Sequence, residues 1–303
     1  MSPSFQGALE FWSIPLVPTS AMVFSGFVYL RGWLHLRSVT ARAIPRWRAG
    51  SFFLGLLLVW VAVGSPLATF DEELLTVHMI QHLLLMTLAP PLILLGAPLM
   101  PLLHGLPRQF VQSGIGSVFR WPAMRRVWRA LSHPAVCWLA AAGALVGWHV
   151  PSVFTLAVQS ESWHIVEHAC FFGPGLLFWW PVVQPWPSVP TWPRSSILIY
   201  LFLATVPCDI LSAFLVFCDR VVYAVYLARP RHLEMSALQD QECAGALMWT
   251  CVTIVYLLAA AVIAMRLLSA RSSQENRLGQ PDSPPRLLHT LVNEQWRSSE
   301  YGK

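Results

Sequence analysis

His78 and His82 lie four residues apart in an apolar stretch, Val77 to Pro98, that reads VHMIQHLLLMTLAPPLILLGAP. On a helix that spacing sets both imidazoles on one face, one turn apart. Three further histidines follow: His149 in WHVP, and His164 and His168 on either side of Glu167 in HIVEH. Imidazole suits copper, zinc, iron and nickel, whereas thioethers and thiolates favour cuprous copper. Met79, Met86, Met248, Cys170, Cys218 and Cys243 bring sulfur to the same segments, although core packing is the ordinary role of each. Asp240 and Gln241 open a later apolar segment, and Asp209 sits mid-segment beside Cys208. A carboxylate that deep should face the protein interior, paired or protonated.

Taken singly, each feature has an ordinary reading. His78 and His82 can hydrogen-bond between helices, and His149 can bond a carbonyl freed by Pro151. The His164–Glu167–His168 group can be an interfacial cap in which the acid orients a histidine. Asp240 can cap its own helix. Together, five histidines on three consecutive segments at matched depth point to a metal or haem site, with Glu167 as a ligand or as an orienter of ligands.

The elements that must position these residues follow from composition. Of 303 residues, 55% are hydrophobic and only 12% are charged, against about 25% charged in soluble domains. With several apolar runs of about 20 residues, this predicts an all-α, polytopic membrane bundle. The 15 tryptophans fit, since Trp gathers at membrane interfaces. Seven spans are expected, near Ile14–Leu34, Ser51–Phe70, Leu74–Leu95, Pro134–Val158, Trp163–Val183, Ser195–Val216 and Gln241–Leu267. Pro90 and Pro91 should kink or end the third. Residues 1–268 would form the membrane domain, and the polar 269–303 a disordered cytoplasmic tail.

The net charge of +5 could suggest nucleic acid, but its distribution is topological. Alternating loops sort 17 of the 20 Lys and Arg residues to one side. The positive-inside rule then places the N-terminus outside and the C-terminus in the cytoplasm, so lipid rather than nucleic acid is the expected partner. The first basic residue is Arg31, so the positive leader of a secretory signal is missing. In this topology all five histidines, Glu167, Asp240 and Gln241 fall within about 15 Å of the outer surface at 1.5 Å rise per residue. The six cysteines have no CxxC spacing and read as small hydrophobes.

Several stretches resemble the integral-membrane CtaG family of cytochrome c oxidase assembly factors, which is distinct from the single-span copper chaperone sharing that name. They are HMIQHLLLMTLAPPLILLGAP (78–98), HP (133–134), WHVPSVF (148–154), EHACFFGPGLLFWWPV (167–182) and DQECAGALMW (240–249). The resemblance implies a non-enzymatic role in building haem–copper oxidase in the plasma (inner) membrane, by handling copper for its metal centres. It carries the family's motif positions onto His78, His82, His149, His168, Asp240 and Gln241, with His164 just upstream. No cupredoxin domain accompanies these motifs, so the expected partners are oxidase subunits or another copper chaperone. The expected site is an outward-facing pocket in which His78, His82, His149, His168 and His164 hold copper. Glu167, Asp240, Gln241 and Met248 would support it.

Two other readings stay open. A haem-binding protein, either an electron carrier or a haem-handling factor, would need axial histidines from different helices and would show a Soret band. A metal or proton transporter would need a polar path through the inner half, where Asp209 stands almost alone.

Overall fold

The apolar runs fold into helices, and no strand occurs among the described residues. The computed structural model describes residues 14–39, 45–71, 73–115, 121–185, 192–229 and 235–278. The chain forms two compact units, Met1–Ala260 and Ala261–Lys303. In the second, the described residues 261–278 are helical; the rest of the expected tail lies outside the described residues, as does most of the connector after Gln184. All packing below belongs to the first unit.

The helices are α1 (Leu16–Val39), α2 (Arg46–Gly64), the single turn α3 (Leu67–Phe70), α4 (Leu75–Leu83), α5 (Ala89–Leu95), α6 (Leu99–Gly105) and α7 (Pro122–Leu131). They continue as α8 (Pro134–Trp148), α9 (Pro151–Gln159), α10 (Glu161–Val183), α11 (Arg194–Phe217) and α12 (Ala237–Leu278). The boundary expected at residue 268 thus falls inside α12. Pro122, Pro134 and Pro151 stand at helix starts, where a missing N–H costs nothing and φ is already helical.

Among the described residues, four stretches are long and apolar enough to cross a membrane: Arg46–Phe70, Leu75–Leu95, Ser195–Phe217 and Ala237–Ser269. The α7–α8 pair, bent by 67°, makes a fifth if it counts as one span. The expected fourth span is not continuous. Pro151 cannot donate to the Gly147 carbonyl, so the helix stops at Trp148 and restarts as α9. α1 and α10 have the length but are diluted by polar residues, Arg31 in the one and Glu161, His164, Glu167 and His168 in the other. On α11, Leu201, Cys208 and Leu215 are buried while Ile199, Phe202, Ile210 and Phe214 are exposed. A helix apolar on both its inner and outer faces is made for hydrocarbon surroundings.

Pro90 and Pro91 do not end the third span. The chain passes through one wide, π-type turn, Leu84–Leu88, and continues helically to Leu95. Such turns absorb lost backbone hydrogen bonds and recur beside functional sites. The Met86 carbonyl faces two prolines that cannot donate to it. The Trp179 indole on α10 donates instead, at 3.2 Å, and Gly175 one turn earlier lets α10 approach so closely that an added Cβ would lie 3.0 Å from Met86 Cα.

Glycine also sets the α1–α6 crossing. A Cβ on Gly32 would collide with the Pro101 carbonyl, and one on Gly105 with the Val28 carbonyl. Both clashes are with backbone, which cannot swing aside. Gly105→Ala is therefore expected to destabilise the protein by about 1–3 kcal/mol, read as a lowered midpoint for thermal unfolding in detergent. Tyr29 helps fix the same region, stacking on Phe52 at 3.8 Å between centroids and donating to the Gly96 carbonyl at 2.8 Å.

Candidate metal centre

α4 carries His78 and His82 one turn apart, and long-range hydrogen bonds hold it at both ends. Asp240, from the first turn of α12, accepts from Leu75 N–H at 2.7 Å, from Thr76 N–H at 3.0 Å and from the Thr76 hydroxyl at 2.6 Å. It therefore caps α4, not its own helix, supplying the acceptor that the extended residue Leu74 does not provide. Gln81, fully buried, donates from Nε2 to the Ala62 carbonyl of α2 at 3.0 Å. The neighbour of Asp240, Gln241, does different work. It accepts from Val222 N–H at 2.7 Å and donates to the carbonyls of Leu215 and Arg220 at 3.2 and 3.1 Å, fastening the end of α11.

Opposite α4, α10 presents His164, Glu167 and His168, whose spacing puts all three on one face. Glu167 has no exposed surface and His78 only 1%. The carboxylate sits between the two α4 imidazoles, with Oε1 3.5 Å from His82 Nε2 and Oε2 3.6 Å from His78 Nε2. His164 Nε2 lies 3.9 Å from Glu167 Oε2 and 3.5 Å from Oδ2 of Asp71, at the end of α3. The imidazoles of His164 and His168 are 4.2 Å apart between centroids, and His168 lies 6.1 Å from His82. His149, at the α8–α9 break, is 6.3 Å from His82 and donates from Nδ1 to the Leu145 carbonyl at 2.7 Å. That bond fixes its tautomer and leaves Nε2 as an acceptor or ligand atom.

A 3₁₀ turn, Ala224–Leu227, and the residue before it cross this end of the bundle. Tyr223 donates to the His149 carbonyl at 3.2 Å and Tyr226 to the Asp71 carbonyl at 2.9 Å. Burial pushes both phenols above their usual range, with the Glu167 charge adding to it at Tyr223 and the Asp71 charge at Tyr226. Both therefore remain protonated donors.

The contacts are too long for good hydrogen bonds. His78 Nε2, both nitrogens of His82, His149 Nε2, His164 Nε2, His168 Nε2 and both oxygens of Glu167 are buried without a hydrogen-bond partner among the described residues. Such atoms are rare in folded proteins and costly. The spacing is compatible with ligands around a metal ion. Ligands about 2.0–2.2 Å from a tetrahedral centre are about 3.3–3.6 Å apart, which brackets the two Glu167 distances. Two triplets have donor atoms within 4.8 Å of one another, His78–His82–Glu167 and Asp71–His78–His164.

All five histidines expected from the sequence meet here. Glu167, expected in support, is at the centre. Asp240 and Gln241 act through backbone capping, and Met248 lies beyond His82 on the wall of a neighbouring cavity. Asp71, Gln81, Tyr223 and Tyr226 were not anticipated. Asp71 had a signal, being the first of the three acids that end the second apolar run. The six cysteines are free thiols, and Asp209 is half-buried.

A helical membrane-type bundle with a buried His–Glu cluster at one end defines the class, and comparison defines the family. The family model described as cytochrome c oxidase caa3 assembly factor (Caa3_CtaG) matches residues 27–270, and the chain belongs to that family. Among curated relatives it is 23% identical over 270 residues to "Uncharacterized protein ML1998" of Mycobacterium leprae (strain TN), covering 87% of this chain and 40% of that one. It is 24% identical over 263 residues to "Uncharacterized protein Mb0105" of Mycobacterium bovis (strain ATCC BAA-935 / AF2122/97), covering 82% and 38%. The chain spans about two-fifths of the length of these relatives. No solved structure matches it.

Proposed function

We propose that this chain is a non-enzymatic, multi-pass protein of the plasma (inner) membrane that binds copper as cargo and passes it to cytochrome c oxidase. In this reading seven segments cross the bilayer, the N-terminus is outside, the C-terminus is cytoplasmic and the site opens outward. The supporting observation is the Glu167 carboxylate held between His78 and His82, every facing atom buried and unbonded. Family membership supplies the destination, with oxidase subunits or another copper chaperone as partner.

Copper is favoured over other imidazole-binding metals by the thioethers of Met79, Met86 and Met248, which line a cavity beside His82. Haem fits less well. The cavity that His82 and His149 line is about 40 Å³, far smaller than a porphyrin. The chain's own residues would do three things: hold the ion on exchangeable imidazole and carboxylate donors, orient them through Asp240 and Gln81, and keep water away with Tyr223 and Tyr226.

The test is metal analysis and an optical spectrum of the purified protein beside His82→Ala. Stoichiometric copper in the wild type, lost in His82→Ala, is expected. A wild type that takes up no copper even with a reductant and added metal, or that shows a Soret band, overturns the reading.

A further inference from the structure

Beside His82 lies a cavity of about 40 Å³ that Glu167 does not line, room for about three waters. Its wall includes His82, His149, Met79, Met86, Met248 and Cys208. Met79 and Met86 are seven residues apart on one continuous span, one before and one within the wide turn. Met248 comes from α12 and is 3% exposed, and Met79 is 1% exposed. Methionine ordinarily fills irregular gaps in a core, but here three methionines line a cavity that leucine would wall equally well. They share it with two histidines that each hold a buried nitrogen without a hydrogen bond. His82 faces Glu167 with Nε2, which leaves Nδ1 for the other side of its ring; His149 is committed at Nδ1, which leaves Nε2. Cys208 is less available, its sulfur lying 3.8 Å from the Ser212 hydroxyl.

We propose that this cavity is a second metal site, distinct from the carboxylate cluster, taking a soft monovalent ion of the cuprous type on thioether sulfur with His82 and His149. No carboxylate lines it, so hard divalent ions have no partner there, whereas thioether and imidazole suit a soft ion of low charge. His82 belongs to both sites, one nitrogen to each; because a neutral imidazole has one lone pair and one N–H, it ligates at one site at a time, with its ring proton on the nitrogen that faces the other. That the natural ion is copper rests on the function proposed above; the affinity for a soft monovalent ion does not.

The test is titration of the full-length protein in detergent with silver ion, a redox-inert soft cation, with X-ray absorption to identify the ligand atoms. Met79→Leu/Met248→Leu conserves volume and should preserve the fold. The wild type is expected to hold silver with sulfur in its coordination shell, and Glu167→Gln to keep that signal. The double methionine variant should lose it while still binding copper at the carboxylate cluster. A wild-type shell without sulfur, or a double variant that binds silver as tightly as wild type, overturns the proposal. Sulfur-bound silver in a protein that takes up no copper would sink the copper function and leave this site standing.

Discussion

Replacing Glu167 with glutamine should weaken copper binding by about 100-fold, at or beyond the upper end of what loss of a hydrogen-bonding neighbour costs a metal site. The same change should make the metal-free protein more stable, by about 1–3 kcal/mol. Both effects have one cause. In the metal-free protein the carboxylate offers two buried acceptors to imidazole nitrogens 3.5 and 3.6 Å away, and none of these contacts is a hydrogen bond. A side-chain amide has nearly the same shape but carries donors, which can satisfy an imidazole lone pair, and it removes a potential charge from an apolar interior. Thermal unfolding with and without copper, together with metal content, reads both signs at once. A variant that keeps its copper, or that melts lower than wild type when metal-free, would show that Glu167 is structural.

Asp240→Ala is expected to have the largest effect on stability among substitutions outside the histidine–glutamate cluster. It removes three hydrogen bonds to the first turn of α4 and leaves the N–H groups of Leu75 and Thr76 without their acceptor. A lost cap costs about 0.5–2 kcal/mol and each buried unsatisfied donor about 1–3, so a total of about 3–5 kcal/mol is expected. Asp240→Asn keeps one acceptor oxygen but turns an amide N–H toward one of the two donors, and should fall between. His78 is the fourth residue of α4, so fraying of that turn would move a candidate ligand, and copper affinity should fall in step with stability. Equal copper affinity in Asp240→Ala and wild type would separate the cap from the site.

The sequence displays local spacing, and the parts of the site that rest on local spacing were legible in it. The four-residue interval of His78 and His82 and the HIVEH group translate directly into faces of two helices. Matched depth along the spans then put them together. What stayed hidden depends on contacts between distant residues. Nothing near Asp240 says that it caps a helix 165 residues earlier in the chain, and nothing near Glu167 ranks it above the histidines around it. Pro151 did signal a break, but hydropathy averaged across it and made one span of α8 and α9. Pro90 and Pro91 signalled a kink or an end; the span does not end there, and the partner that serves the Met86 carbonyl, Trp179, lies 93 residues away.

The Asp240 clasp also has a consequence in time. A ribosome delivers the chain from its N-terminus, so the helix bearing His78 and His82 emerges long before the residue that caps it. At about 5–20 residues per second, the 165 residues between them take roughly 10–30 s. Until α12 follows, α4 has histidines but no fixed first turn. The candidate site therefore cannot take its final form until α12 has been made, and a half-made chain would be a poor trap for a reactive ion.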